Sequence, residues 1–183
     1  MPIMDVRYAL GSLDKATKAA LAARLTDLLI QMEGGANTPG GRAFAWVLFS
    51  EAAETDFWVA GEPCQGQNSP KFLVHISIPE GYMNRAHKNE VHTWVSAAIR
   101  EVLKDATDTS ILTVIDEVTE GNWGSRGQPI SLESISATVG QPGDGPRLGW
   151  SHRYFEAKAR VMAGAGYPAD TGGMLPSLSP SGQ

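Results

Sequence analysis

The stretch SEAAETDFWVAGEP at residues 50–63 and the stretch DEVTEGNWGSRGQP at residues 116–129 align without a gap. Glu51 falls over Glu117, Glu54 over Glu120, Phe57 over Trp123, Gly61 over Gly127 and Pro63 over Pro129. Each stretch closes a similar run of predicted elements. Upstream of the first lies PIMDVRYAL, where Met4, Val6 and Tyr8 alternate with Asp5 and Arg7 as in a half-buried strand. Then comes SLDKATKAALAARLTDLLIQMEGG, in which Leu21, Leu25, Leu28, Leu29 and Met32 form one helical stripe. Ser12 or Asp14 can cap its start, and Gly34-Gly35 can end it. ANTPGG reads as a loop, and RAFAWVLFSE as an apolar strand. The order then repeats. FLVHISIPEG is a strand with Phe72, Val74, Ile76 and Ile78 on one face, and NRAHKNEVHTWVSAAIREVLKDA carries Val91, Trp94, Val95, Ala98, Ile99, Val102 and Leu103 at helical spacing. SILTVIDE is the final apolar strand.

Two strand–helix–strand units imply two right-handed βαβ crossovers. The expected fold is α+β: duplicated βαβ units in a four-stranded sheet with two helices on one face. The opposite face, with residues such as Tyr8 or Phe72, is then expected to need a partner, so an oligomer is expected. The duplicated body is assigned to residues 1–131, with halves at about 2–66 and 72–131. Residues 132–183 form an extension. Its part from 140 onward holds 9 of the 20 glycines and 5 of the 11 prolines, and WSHRYFEAKARVMAGAG is its one candidate helix. We expect this arm to pack on the body or on a neighbouring subunit.

Composition narrows the function. At 183 residues, 42% hydrophobic and 19% charged, the chain can bury one substantial core. A formal net charge of -5 argues against nucleic acid as a partner. There is no apolar run long enough for a membrane span and no secretory pattern at the start, so a cytoplasmic protein is expected. Cys64 is the one cysteine, which excludes an internal disulfide and a CxxC metal site. His75, His87, His92 and His152 show no HxxxH or HExxH spacing, so no metal is expected. No GxGxxG or phosphate-loop run appears, so no nucleotide cofactor is expected. Ser110 and Ser151 lack a nucleophile-elbow context.

Pro2 stands apart. Initiator methionine is commonly removed before proline, which would leave a secondary amine at the start of a strand. An α-amino group titrates near about 7.7–8.0, and burial lowers that value, giving a neutral base near pH 7.

PIMDVRYALGSLDKATKAALAARLTDLL, at residues 2–29, resembles the tautomerase superfamily that includes 4-oxalocrotonate tautomerase. TSILTVIDEVTEGNWGSRG, at 109–127, is similar to the second strand and hairpin of the same unit. The resemblance spans about residues 2–130, and the duplication looks like the fused members, which include cis-3-chloroacrylic acid dehalogenase and malonate semialdehyde decarboxylase. It implies a homotrimer with sheet faces turned inward. It also implies a cofactor-free proton shuttle on Pro2, with Phe72 at the corresponding place in the second half. The substrate would be a small enol or 2-oxo acid.

The family's arginines are not matched. They fall on Ser12 and Tyr82, on Trp46 and Leu112, and near residues 79–82. That argues against a dicarboxylate, haloacrylate or malonate semialdehyde substrate, because a guanidinium is the natural bidentate partner of a carboxylate. Trp123 aligns with an apolar wall of the family site. Arg126 and Arg42 are the remaining cations for a carboxylate or enolate oxygen, and Tyr82 is a candidate donor. Each has an ordinary structural reading as well: Trp123 in the core, the arginines on the surface, Tyr82 at a helix entrance. The expected activity is a keto-enol tautomerase or isomerase. The alternatives are a hydrolytic dehalogenase- or decarboxylase-like member, or a non-catalytic trimeric scaffold.

Overall fold

The computed structural model describes residues 2–34, 37–64, 70–104, 109–141, 145–168 and 171–178. Met1, Gly35, the boundary of the first half near residue 66 and the last five residues lie outside them.

The first unit is β1 (Ile3–Ala9), α1 (Lys15–Glu33), a one-turn α2 (Pro39–Arg42) and β2 (Trp46–Ala52). A short hairpin, β3 (Trp58–Val59) and β4 (Glu62–Pro63), follows. The second unit repeats this as β5 (Lys71–Pro79), α3 (Arg85–Leu103), β6 (Ser110–Val118) and the hairpin β7 (Gly124–Ser125) and β8 (Gln128–Pro129). The extension holds α4 (Leu132–Thr138) and α5 (Pro146–Gly164).

The main sheet runs β2-β1-β5-β6. β1 pairs parallel to β2, β5 parallel to β6, and the two units meet antiparallel along β1 and β5, with Ile3 opposite Ser77. The duplication is visible in the details. Gly11 (φ 81°) and Gly81 (φ 68°) end the first strand of each unit. Asp14 and Asn84 then cap the helices, accepting from the backbone N–H of Thr17 and His87 at 2.7 and 3.0 Å. Both hairpins turn on two residues of positive φ, Ala60-Gly61 and Arg126-Gly127, the geometry that matches strand twist in two-residue turns.

Both helices lie on one face of the sheet. Leu21, Leu25, Leu28 and Leu29 of α1 and Val91, Val95 and Ile99 of α3 are buried against Met4, Val6, Tyr8, Phe72, Val74 and Ile76. This corrects one expectation. Tyr8 and Phe72 are not on the uncovered face: they are 0% and 2% exposed under the helices, with their rings 5.9 Å apart. Strand alternation puts Ile3, Asp5 and Arg7 on the other side instead. That open face also carries exposed Trp46, Leu48 and Leu112 beside a polar set in which Arg7 and Ser50 bond Asp5 and His75 meets Asp116.

The extension is part of the same core. Leu132, Phe155 and Leu175 are fully buried in it. α5 crosses Gly81 closely: a Cβ there would lie 2.5 Å from the Tyr154 ring. Tyr154 and Lys158 both bond the Glu80 carboxylate, at 2.8 and 2.7 Å. No helix among the described residues is long and apolar enough to cross a membrane.

Candidate active site

Pro2 opens β1 and is buried. Its carbonyl accepts from the Trp46 N–H at 3.4 Å, which ties the start of β1 to the start of β2. The next residue, Ile3, lines a cleft of 1120 Å³. Trp46, Trp123, Arg126 and residues of α2 and α4 complete the wall. The second-half hairpin is therefore folded over the first residues of the chain, and the cleft is largely apolar.

Trp123 is 7% exposed and Arg126 is exposed in the β7–β8 turn, so both stand where the chain begins. Arg126 is the one charged residue in the lining among the described residues. The other two expected residues lie elsewhere. Arg42 sits in α2 beside the cleft but turns to Asp27 at 2.8 Å and Asn37 at 3.0 Å. Tyr82 is 3% exposed and donates its hydroxyl to the carbonyl oxygen of Glu33.

Tyr82 thereby marks a polar cluster that sequence reasoning missed. Glu33, the last residue of α1, is 2% exposed. Burial pushes its carboxyl above the usual range, against the pull of the positive charge at Arg147. Burial also pushes the Tyr82 hydroxyl up, helped by the Glu33 charge. His87, on the first turn of α3, is held below the ordinary histidine value by burial and then by Arg147. A signal for Glu33 existed in the sequence: it continues the α1 stripe four residues after Leu29. An acid on an apolar stripe is a place to look for a satisfied buried charge.

No protein-family model and no curated protein matches this chain. Solved structures do. A wild-type fused 4-OT, a symmetric trimer, superposes with a TM-score of 0.57 at 22% identity, over 74% of this chain and 98% of its own. A member of the cis-3-chloroacrylic acid dehalogenase family gives 0.55 at 16% identity, over 88% of this chain and 98% of its own. A third structure, of a protein inactivated by 2-oxo-3-pentynoate, gives 0.55 at 19% identity, over 73% of this chain and 98% of its own. The chain has the fused tautomerase-like fold.

Proposed function

We propose that the chain is a cofactor-free keto-enol tautomerase or isomerase of small 2-oxo or enol acids, with Pro2 as general base once Met1 is removed. The observation that supports this most is the burial of Pro2 beside the apolar cleft that Ile3, Trp46 and Trp123 line. An amine there is shielded from bulk water, so its neutral form is favoured near pH 7. Pro2 would take a proton from the carbon next to a carbonyl and return it elsewhere on the enol. Arg126 would meet the carboxylate or the enolate oxygen. A lining with one cation suits a monocarboxylate better than a dicarboxylate.

The working form in this reading is a cytoplasmic homotrimer. Trp46, Leu48 and Leu112 on the open sheet face would be covered in it, and the fused 4-OT that shares the fold is itself a symmetric trimer.

Intact mass should show loss of Met1. Phenylenolpyruvate ketonisation should be catalysed, and Pro2→Ala should lower kcat/KM by about 10²–10⁴-fold. The electrophile 2-oxo-3-pentynoate should add once per chain, at Pro2. A retained Met1, or a Pro2→Ala rate equal to wild type, would leave the non-catalytic scaffold as the better reading.

A further inference from the structure

Trp123 carries a buried donor that the fold does not serve. Its indole Nε1–H finds no acceptor among the described residues. Other donors nearby are paired. Trp46, on the same cleft, donates Nε1–H to the Ala43 carbonyl oxygen at 3.2 Å, and Trp58 of the first hairpin donates to that of Thr55 at 2.8 Å. At the end of α1, Tyr82 and Gln141 donate to the Glu33 carbonyl oxygen and Arg147 to that of Met32. Among the described residues, Trp123 is the one buried side chain with an unpaired polar atom that also lines the cleft beside the start of β1.

The two hairpins isolate what the indole adds. Phe57 holds the place of Trp123 in the first hairpin, and the backbone is the same at both. The Phe57 carbonyl accepts from the Cys64 N–H at 2.8 Å, and the Trp123 carbonyl from the Ile130 N–H at 2.9 Å. A phenyl ring would serve for an apolar wall. An indole brings a donor as well, and a buried donor without a partner costs stability. Three residues on, Arg126 stands exposed in the turn, with no ion pair among the described residues. One hairpin thus brings a neutral N–H and a guanidinium to the same cleft.

We propose that Trp123 is a catalytic residue whose Nε1–H donates to the 2-oxygen of a 2-oxo acid while Arg126 takes the carboxylate, so that the cleft selects acids with an oxygen on the carbon next to the carboxyl. This rests on the cleft being the site of the reaction proposed above. When Pro2 removes a proton from C3, the C–H electron pair becomes the C2=C3 bond and the C2=O pair moves onto the 2-oxygen. Return of the proton to C3 reverses both shifts. Charge builds on that oxygen in between, and a fixed donor there stabilises the transition state more than the ground state. The nitrogen is closed to bulk water, so occupancy of the cleft has to shift the ring, and the indole resonance reports that shift.

The experiment is a ¹H–¹⁵N NMR titration of the full chain, with the Trp123 indole assigned by sequential connectivities. The probes are phenylpyruvate and 3-phenylpropanoate, which share a ring and a carboxylate and differ in the 2-oxygen. The indole proton should move further downfield with phenylpyruvate than with 3-phenylpropanoate. Trp123→Phe keeps a ring and removes the donor. It should weaken phenylpyruvate about five- to tenfold and leave 3-phenylpropanoate unchanged, whereas Arg126→Gln should weaken both. In phenylenolpyruvate ketonisation, Trp123→Phe should lower kcat by about 10²-fold, by the same factor across the pH profile, since an indole N–H does not titrate there. Equal indole shifts with the two acids, or equal losses of affinity for both in Trp123→Phe, overturn the proposal. An indole proton already at a hydrogen-bonded position in the free protein also overturns it, because another acceptor then holds the donor. Ketonisation that depends on Pro2 with no such indole response would leave the proposed function standing without this role. The expected indole response in a chain that ketonises nothing would do the reverse, keeping recognition of the 2-oxygen and ending the role of Pro2. Should Trp123→Phe not fold, the comparison of the two acids on the unaltered chain decides.

Discussion

At the tip of the first βαβ unit, α1 ends on buried Glu33 and the extension closes over it. At the matching tip of the second unit, α3 ends on Leu103, and the surface is an open pocket of 660 Å³ lined by Gly11, Ser12, Leu103 and Lys104. The pairing is residue for residue. Gly81 answers Gly11, Tyr82 answers Ser12, Lys104 answers Gly34, and Phe72 answers Pro2. Ser12 bonds back to its own turn, at Ala9 O, whereas Tyr82 reaches across the molecule to α1. A duplicated scaffold has thus kept its backbone in both halves and gathered its polar groups in one. The backbone is held by strand pairing, caps and helix stripes, which both halves satisfy separately. The polar cluster depends on a third segment, and among the described residues the extension covers the first tip alone.

Removing that cover should give the largest change. Phe155 is fully buried and packs its ring toward Gly81, so Phe155→Ala is expected to cost about 3–5 kcal/mol in urea unfolding. A loss below about 1 kcal/mol would mean that the extension adds little to the first tip. A paired glycine test is finer. Gly11→Ala meets nothing within 4 Å and should cost only the left-handed backbone penalty, about 1–2 kcal/mol. Gly81→Ala pays the same penalty and also drives a Cβ into Tyr154 of α5, so it should cost more. Equal losses at the two sites would erase the asymmetry argued here.

The smallest effect separates the two helix caps. Asn84→Ala should cost about 1 kcal/mol at any pH, since an amide does not titrate. Asp14 differs because its hydrogen bonds from the Thr17 and Ala16 N–H groups hold its carboxyl below the ordinary value of 3.8. Its folded-state value is depressed, so its contribution is present above that ordinary value and fades as pH falls through the depressed one. The hydrogen-exchange protection factor at Thr17 should fall in acid while that at His87 is kept by its cap. A parallel response at both amides would contradict the assignment.

Much of the architecture was legible beforehand because it is written in local periods. Period-two runs gave β1 and β5, the leucine stripe gave α1, and the resemblance gave the second hairpin. The face of Tyr8 and Phe72 went wrong for a definite reason. Alternation says that residues share a side, and it does not say which side the helices take. α4 was also missed. Leu132, Ile135 and Val139 recur at helical spacing behind the Ser131 cap, but seven residues are too few to stand out from a Gly- and Pro-rich region. Trp123 was singled out by resemblance and Arg126 as a remaining cation, and both line the cleft that Ile3 of β1 also lines.

The sequence by itself determined the repeated βαβ order and the helix stripes, because each depends on residues close together in the chain. Only the tertiary structure decided that Glu33, Tyr82, Gln141 and Arg147 meet. They come from four separate segments, and their chemistry arises from burial and mutual charge, which no stretch of sequence holds alone.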